Sequence, residues 1–325
     1  MGRQLNSHIQ TYTAWEAFKF ESFDIVSVGH FSIDSISLPG RRLPYIILGG
    51  SVAYVSLAAK RLGANVSIIS KVGGDFPQAY LWWLSQEGID TSKVNKVQQE
   101  KTTKFELKYS DDMLNRTLRL TSKAPSIDIE DLPNSLEAKA VHLAPIANEI
   151  SYEVAEKLAE YADVVSLDPQ GLVRVFDEDG LATNGPLKDK RILELVDIFK
   201  SSRGEIEAVT GMADLQQAIK AVHDFGVETV IVTLGVKGAM LSIGGAIYEI
   251  PAYTPNKLVD PTGAGDAFIG VFLAEYVRGK EALWCACAGA AVASTVVEGV
   301  GPTFFGDKDE IYRRANALYE KEIKH

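Results

Sequence analysis

Short apolar runs alternate with longer helical stretches along most of this chain, and that order leaves few folds open. From Phe23 onward, the segments DIVSVGH and NVSIISKVG have the character of strands. Between them, LGGSVAYVSLAAKRLGA predicts a turn and a helix that ends at Gly63, and QAYLWWLSQEG predicts a further helix that ends at Gly88. Strands that alternate with helices predict an α/β fold with a doubly wound, mostly parallel sheet, helices on both faces and right-handed crossovers.

The second half of the chain continues this order. AVHLAP, DVVSLDPQ, LVDIFKS and ETVIVTLG are the expected strands, and EVAEKLAEYA and ADLQQAIKAVHDFG are expected helices between them. Because neither an internal repeat nor a low-complexity linker interrupts the alternation, we expect one large domain.

Two segments break the alternation. Residues 32–48 contain two prolines and an arginine pair. Residues 101–123 predict a hairpin, with TTKFELKYS and RTLRLTS as strands and DDMLN as the turn. The alternation in FELKY and TLRL is typical of strands that are exposed on one face. Together the two segments predict a small β lid.

The stretch VDPTGAGDAFIG, residues 259–270, combines a turn of small residues with a carboxylate. Gly263 and Gly265 allow backbone conformations that are barred to residues with a Cβ atom. The apolar run after Asp266 has the length of a helix, so the turn would gather backbone N–H groups and the positive end of a helix dipole, which attract anions. Asp266 could cap this helix or, in a cleft, accept a proton from a substrate hydroxyl. The layout is typical of a phosphate-transfer site.

The composition fits a cytoplasmic enzyme. The 325 residues carry a formal net charge of -10, which argues against a nucleic-acid partner because its phosphates would be repelled. No uninterrupted apolar run approaches the ~18 residues of a membrane span. The histidines and cysteines show no zinc-ligand spacing. We expect Cys285 and Cys287 to be core thiols in a reducing compartment.

The N-terminal segment differs from the rest of the chain. Residues 1–22 lack the apolar centre of a secretory signal and carry acidic residues that a transit peptide would avoid. We therefore expect an N-terminal extension before a domain that spans residues 23–325. Trp15, Phe18 and Phe20 could dock the extension on the surface or on a partner subunit, and a loosely ordered tail is the alternative.

The segment DPTGAGDAF resembles the C-terminal signature of the ribokinase-like, PfkB-type carbohydrate kinases in residue type and spacing. The resemblance implies ATP with Mg²⁺ as the phosphoryl donor, leaves a monovalent cation open, and assigns Asp266 as the base that deprotonates the accepting hydroxyl. Asp260 and Thr262 would flank the phosphates or the bound ions. The anion hole for the transferred phosphoryl group would consist of Gly263, Ala264 and Gly265.

The N-terminal half carries the same resemblance. Asp34 stands near the end of the first strand, where these kinases bind substrate hydroxyls, and a carboxylate can accept two such hydrogen bonds at once. From the residues alone, Asp34 could equally be a turn residue. Gly49 and Gly50 match a glycine pair at which the backbone comes close to the substrate, and they also fit a tight strand-to-helix turn. Ser51 and Tyr54 stand where ribokinases have Lys and Asn, so ribose is less favoured.

Residues 166–176, SLDPQGLVRVF, lie at the expected carboxyl end of a strand, where open α/β sheets bind ligands. Asp168 and Gln170 offer groups for hydroxyls, and Arg174 could bind a phosphate or a carboxylate or form a structural ion pair. With EKTTKFE, FKSSRGE and the glycine pair, this stretch most resembles the myo-inositol kinase branch of the family. The resemblance therefore assigns Asp168, Gln170 and Arg174 to substrate binding.

The donor side follows from the same resemblance. Glu205 matches an acidic residue that helps to place magnesium through water, although Ser202 stands where the family has Asn. The helix AGAAVAS, residues 288–294, would bring adenine close to the backbone or would simply pack tightly. The nucleotide would be contacted by Ser202, Thr233, Gly235, Lys237, Gly238, Thr262 and Gly299.

These assignments predict an ATP-dependent kinase that phosphorylates one hydroxyl of a cyclic polyol, with myo-inositol as the substrate. A ribose, nucleoside or 2-keto-3-deoxygluconate kinase is the alternative within the family. A non-catalytic sugar-sensing protein on the same fold is the alternative from another class. Members of the resembled family often dimerise through the lid, so the resemblance also includes a homodimer among the expectations.

Overall fold

The computed structural model describes residues 22–113 and 115–322. The extension expected for residues 1–22 lies outside this part of the chain except for Ser22, which begins the first strand. Within the described residues, no helix is both long and apolar enough to cross a membrane.

The described residues form strands and helices in alternation. The strands are β1 Ser22–Val28, β2 Ser32–Ser37, β3 Tyr45–Gly49, β4 Val66–Gly73, β5 Asp90–Val97, β6 Thr103–Tyr109, β7 Arg116–Ser122, β8 Glu137–Leu143, β9 Ala162–Leu167, β10 Arg174–Phe176, β11 Ala182–Asn184, β12 Ile198–Ser202, β13 Thr229–Thr233, β14 Ala239–Ile243 and β15 Ala246–Ile250. The α-helices are α1 Ser51–Arg61, α2 Gln78–Gln86, α3 Tyr152–Ala159, α4 Gln170–Val173, α5 Arg203–Thr210, α6 Leu215–His223, α7 Ala264–Tyr276, α8 Ala282–Val296 and α9 Lys308–Glu322. Short 3₁₀ helices cover Ile129–Asp131, Lys190–Leu195 and Gly235–Lys237.

A nine-stranded sheet forms the centre, in the order β15-β14-β13-β12-β9-β8-β1-β4-β5. The strands from β13 to β5 pair in parallel, which confirms the predicted mostly parallel sheet. The hairpin of β14 and β15 adds two antiparallel pairings at one edge and was not predicted. Its signal was present, because Gly244 and Gly245 both have positive φ and form the two-residue turn that such hairpins favour.

The central sheet is covered on both faces, as predicted for a doubly wound fold. Successive side chains of a strand point to opposite faces, so Ile25 of β1 packs into one core and Val26 into the other. Helices α1, α7, α8 and α9 bury apolar side chains in the first core, and α3, α5 and α6 do so in the second. Helices α1 and α2 end close to Gly63 and Gly88, both with positive φ, at the predicted places.

A second, four-stranded sheet lies over the carboxyl ends of the central strands, in the order β3-β2-β6-β7. It consists of two antiparallel hairpins that are joined by parallel pairing of β2 with β6. Ile36, Phe105 and Leu107 of this sheet pack against Ile146 and Ala147 of the main domain. The predicted small β lid is confirmed. The short hairpin of β10 and β11 was not predicted, and a bridge from Arg119 to Leu181 joins it to the lid.

Candidate active site

The glycine turn and the start of α7 lie beneath the lid. Gly263 has a φ of 79° and precedes the helix, which begins at Ala264. A Cβ atom at Gly263 would lie 2.1 Å from Cδ1 of Tyr54, so backbone conformation and packing both require glycine there. The first N–H groups of a helix lack partners within the helix and attract anions. Gly263 lines the cleft, so this end of α7 stands where the anion hole is predicted.

Asp266 stands in the first turn of α7 and lines the cleft. Its Oδ1 atom accepts hydrogen bonds from Ser51 Oγ at 2.6 Å and from Gln170 Nε2 at 3.0 Å. These bonds run across the cleft floor, and the N-cap position of α7 has no side-chain cap. Asp266 therefore lies in the cleft and does not cap α7, and its role as the base stays a prediction.

Gln170 and Arg174 form a chain that leads to Asp266. Arg174 Nη2 donates to Gln170 Oε1 at 2.6 Å, and Arg174 Nη1 donates to the carbonyl oxygen of Ile146 at 2.9 Å. The Arg174 guanidinium also lies over the Phe105 ring, 5.8 Å from its centroid. Both side chains line the cleft, and their predicted role in substrate binding stays a prediction. Gln170 contacts Asp266 directly, and Arg174 holds Gln170.

We expect Gln170→Leu to lower kcat by about 10- to 100-fold, because a hydrogen bond to a charged group contributes about 1.5–3 kcal/mol. Acceptor KM should change less, since the lost bond acts on Asp266. Steady-state kinetics with the acceptor varied at saturating ATP would measure both constants. Gln217→Leu, the same substitution on the exposed face of α6, is the matched control. Unchanged kcat in Gln170→Leu would contradict an orienting role.

Asp34 lies on the lid strand β2, lines the same cleft and is only 5% exposed. Ser32 Oγ donates to its Oδ1 at 2.7 Å. A Cβ at Gly49 would lie 2.0 Å from Asp34 Oδ2, so the carboxylate fits only because residue 49 is glycine. Burial raises the pKa of Asp34 to about 6, against the hydrogen bond from Ser32. Gly50 has a φ of 92°, and a Cβ atom built at this residue would lie 2.5 Å from the carbonyl oxygen of His30.

This pKa predicts a pH dependence of acceptor binding. Asp34 accepts two substrate hydrogen bonds only when ionised, so kcat/KM for the acceptor should fall below a midpoint near pH 6, while KM for ATP stays constant. In Asp34→Asn, kcat/KM for the acceptor should be low at every pH. The change in acceptor KM that the wild type shows on lowering the pH should be absent. Because the folded-state pKa exceeds the ordinary value of 3.8, the protein loses stability as pH rises from 3.8 to about 6 and keeps the full cost of ionising Asp34 at higher pH. Asp34→Asn should therefore raise Tm at pH 7.5. An acceptor KM that stays constant between about pH 5 and 8, a range that extends about one unit below the midpoint and about two above it, would contradict this role.

A chain of hydrogen bonds joins the lid to the glycine turn. Tyr109 Oη on β6 lies 2.8 Å from Thr262 Oγ1, which donates to Asp260 Oδ1 at 2.6 Å. Arg116 Nη1 on β7 donates to Tyr109 Oη at 3.2 Å. Thr262 and Asp260, predicted to flank phosphates or ions, are thus brought together, and the lid contacts them directly.

Asp260 is the residue best suited to a cation. It is 1% exposed, and its Oδ2 atom has no hydrogen-bond partner within the described part of the chain. A buried carboxylate oxygen without a partner is costly unless a cation or water meets it. Among the described residues, no group of three or more His, Cys, Asp or Glu side chains could hold a metal ion. Mg²⁺ often binds through one or two carboxylates plus substrate phosphates, which fits this donor set.

The predicted donor residues follow the carboxyl ends of β12 and β13. Ser202 and Thr233 are paired in register there, and Glu205 accepts a hydrogen bond from the Ser202 backbone N–H at 2.6 Å in a capping box. Gly235 and Gly238, both with positive φ, bound the next turn, which contains Lys237. These residues form one edge of the sheet's carboxyl side.

Two glycines near the expected adenine site pack closely against aromatic rings. In α8, a Cβ at Gly289 would lie 2.9 Å from the Phe268 ring of α7, so the small residues of 288–294 provide close helix packing. A Cβ at Gly299 would lie 1.9 Å from the ring of Phe304, which is 47% exposed. Phe304 therefore covers the predicted nucleotide residue Gly299.

Asp168 lies behind the cleft surface and is fully buried. Its Oδ2 accepts from Lys200 Nζ at 2.5 Å, and its Oδ1 accepts from the Gln170 backbone N–H at 3.1 Å. The sequence pattern assigned Asp168 to substrate and did not single out Lys200. The available signal was a lysine in the middle of a strand whose other residues are apolar or small. Lysine is almost never fully buried unless it is paired.

Four residues in or next to the cleft were not assigned as site residues from the sequence. They are Ser51, Tyr54, Tyr109 and Arg116. Ser51 and Tyr54 were noted only as departures from ribokinases. In the structure Ser51 donates to Asp266 and Tyr54 packs against the glycine turn, so both departures lie at the cleft.

Comparison with known proteins agrees with this geometry. Residues 24–308 match the family model of the pfkB family carbohydrate kinase. A cytidine kinase of Thermococcus kodakarensis is 31% identical over 86% of this chain and 97% of that protein. An inositol 3-kinase of Oryza sativa is 29% identical over 91% of this chain and 73% of that protein.

The fold is also similar to that of a solved kinase structure. A pyrophosphate-dependent myo-inositol-1 kinase, converted by mutation into a myo-inositol-3 kinase, superposes with a TM-score of 0.77 at 25% identity and covers 91% of this chain and 99% of its own. The chain therefore belongs to the pfkB family of carbohydrate kinases, as its glycine turn indicated. Its relatives are phosphotransferases that act on hydroxyl groups of sugars or nucleosides.

Proposed function

We propose that this pfkB family member transfers the γ-phosphoryl group of ATP to one hydroxyl of a cyclic polyol, with myo-inositol as the first candidate. The lining of the cleft carries this proposal. Asp34, Gln170 and Arg174 offer polar groups around it, whereas Phe105 and Leu118 offer apolar surface. A six-membered carbon ring with hydroxyls at its rim has the same division between apolar faces and a polar edge.

The reaction follows from the placement of Asp266 and the turn. Asp266 accepts the proton of the attacking hydroxyl, held by Ser51 and Gln170 in one orientation. The N–H groups of Gly263 to Gly265 stabilise charge on the transferred phosphoryl group. When bound with ATP, Mg²⁺ neutralises phosphate charge, and Asp260 and, through water, Glu205 are the residues that would hold ions here. A monovalent cation at Asp260 is part of the same proposal.

On the donor side, we assign nucleotide contacts to the edge formed by the ends of β12 and β13. Ser202 and Thr233 lie side by side, and the following turn exposes backbone close to them. Phe304 would have to leave Gly299 or stack on the base. The assigned residues are Ser202, Thr233, Gly235, Lys237, Gly238, Thr262 and Gly299.

A nucleoside is the second candidate acceptor. The similarity to a cytidine kinase supports it, and Phe105, which lines the cleft and packs against Phe176, offers an aromatic surface for a base. A keto-sugar acid is less favoured, because Arg174 already donates to Gln170 and to Ile146. Ribose is less favoured because of Ser51 and Tyr54.

The decisive experiment is product formation by the purified protein with Mg²⁺ and either ATP or pyrophosphate, since one similar structure is of a pyrophosphate-dependent enzyme. The acceptors are myo-inositol, cytidine, ribose and 2-keto-3-deoxygluconate. Turnover with myo-inositol and ATP supports the proposal. Turnover with cytidine alone would replace the acceptor and keep the mechanism, and silence with every pair would favour a non-catalytic sugar-sensing protein.

The remaining assignments are proposals of the same kind. We assign residues 23–325 to one kinase domain with lid insertions at 32–48 and 101–123, and we place the protein in the cytoplasm on composition. A homodimer through the lid is supported by the edge strand β3, where Ile46 is 61% exposed. Sedimentation velocity of the wild type and Ile46→Lys would test it, with a monomeric wild type opposing it.

A further inference from the structure

Lys200 is a buried cation at the centre of the molecule. It lies in β12 with 5% exposure, and its Nζ is 2.5 Å from Oδ2 of Asp168, which is fully buried at the end of β9. Burial by itself lowers the pKa of Lys200, but the charges of Asp168, Asp266 and Glu205 outweigh it and raise the pKa. The side chain is therefore an ammonium group in the folded protein.

The ammonium group touches the glycine turn. A Cβ atom at Gly265 would lie 2.9 Å from Lys200 Nζ and 3.5 Å from its Cε. Only the missing side chain at residue 265 allows this approach. The positive charge thus lies against the backbone proposed to form the anion hole, beside the residue that precedes Asp266. The negative charge of Asp266 contributes to the raised pKa of Lys200.

The strand geometry points Lys200 toward the donor side. Residues two apart in a strand share one face, so Lys200 and Ser202 project to the same side of β12. Ser202 offers only a neutral hydroxyl at the edge assigned to the nucleotide. Lys200 supplies a full positive charge on that face, and its ammonium group lies beside Gly265 of the turn.

We propose that Lys200 is a catalytic residue that binds the transferred phosphoryl group, and that Asp168 holds its ammonium group beside Gly265. The inference rests on the proposed function. In the reaction, the bond from the acceptor oxygen to Pγ forms, the bond from Pγ to the bridging oxygen of ADP breaks, and the hydroxyl proton passes to Asp266. Lys200 keeps its proton and stabilises the charge on the equatorial oxygens of the transferred group.

A purely structural salt bridge is the competing explanation. Removing one partner of a buried pair is strongly destabilising, whereas replacing both by neutral groups is often tolerated. Lys200→Met alone could therefore lose activity through unfolding. The double variant Lys200→Met/Asp168→Asn removes both charges, keeps the approximate volumes and leaves no unpaired ion.

The first measurement is kcat of the double variant with the acceptor that the wild type phosphorylates. We expect a Tm close to that of the wild type and a kcat lower by about 10²–10³-fold, the effect of losing one preorganised stabilising group. The control Lys139→Met/Asp24→Asn removes a pair at the amino ends of β8 and β1, 2.8 Å apart, and should keep full activity. A folded double variant with kcat within about threefold of the wild type would overturn the proposal.

A second measurement is independent of the acceptor. The probes are Mg-ADP alone and Mg-ADP with aluminium fluoride, and the readout is the rise in Tm. We expect both variants to respond to ADP like the wild type, and only Lys200→Met/Asp168→Asn to lose the further rise with aluminium fluoride. An undiminished further rise would overturn the role of Lys200. A wild type that phosphorylates no acceptor would instead refute the proposed function, so the two failures are distinguishable.

Discussion

Asp266→Asn is expected to fold, to bind ATP with unchanged affinity and to lose activity by about 10²–10⁴-fold or more, the range that a positioned general base contributes. An asparagine keeps the size of the side chain and can still meet Ser51 Oγ, but it cannot accept the hydroxyl proton. The loss should therefore appear in kcat. Steady-state turnover together with calorimetric ATP titration would measure the two effects separately.

The matched control is Asp309→Asn, which changes an aspartate in the first turn of α9, on the surface of the protein. It tests the loss of a negative charge near a helix N-terminus, which alone is worth only about 0.3–1 kcal/mol. This control should retain full turnover. If Asp266→Asn were to turn over at a near-normal rate, Asp266 would be a structural residue and the base would have to be sought elsewhere in the cleft.

Gly263→Ala is expected to abolish most of the activity, by about 10²–10³-fold, because it displaces N–H donors of the anion hole. A Cβ at this position would lie 2.1 Å from the ring of Tyr54, and the φ of 79° is strained for any residue with a side chain. The turn must therefore shift or Tyr54 must move. Binding of ADP should be retained, since the displaced donors serve the transferred group. Turnover and ADP titration would measure the two effects.

Gly279→Ala separates backbone strain from the clash. Gly279 has a φ of 78°, and no heavy atom lies within 4 Å of a Cβ built there. The substitution should cost stability through the backbone alone, on the order of 1 kcal/mol, and should leave kcat unchanged. Equal loss of kcat in both variants would mean that global destabilisation, and not the anion hole, explains the effect of Gly263→Ala.

The fold was predictable to the extent that its signals are local. The alternation of apolar runs with helical stretches predicted the parallel strands, and Gly63 and Gly88 predicted the ends of α1 and α2. The lid followed from two breaks in that alternation, although only its hairpin at residues 101–123 was predicted as one. The hairpin of β14 and β15 was missed although Gly244 and Gly245 signalled its turn, because its exposed edge strand carries little apolar periodicity.

The order of the strands could not be obtained in the same way. Each strand's pairing depends on which crossover brings it beside another, and residues that are distant in sequence decide it. The pairing of β2 with β6, for example, joins segments about 70 residues apart and turns two separate insertions into one lid. That sheet places Asp34 in the lining of the cleft and brings Tyr109 to Thr262, which also lines it.

The sequence by itself determined the α/β class, the glycine turn and the position of Asp266, because backbone conformation and helix start are encoded within a few residues. Only the tertiary structure decided which groups meet Asp266. Ser51 is 215 residues away in sequence and Gln170 is 96 away, yet both donate to the same oxygen. The pairing of Lys200 with Asp168 beside Gly265 arises likewise from neighbouring strands. Such contacts depend on strand order and on packing beneath the lid, which no short stretch of sequence specifies.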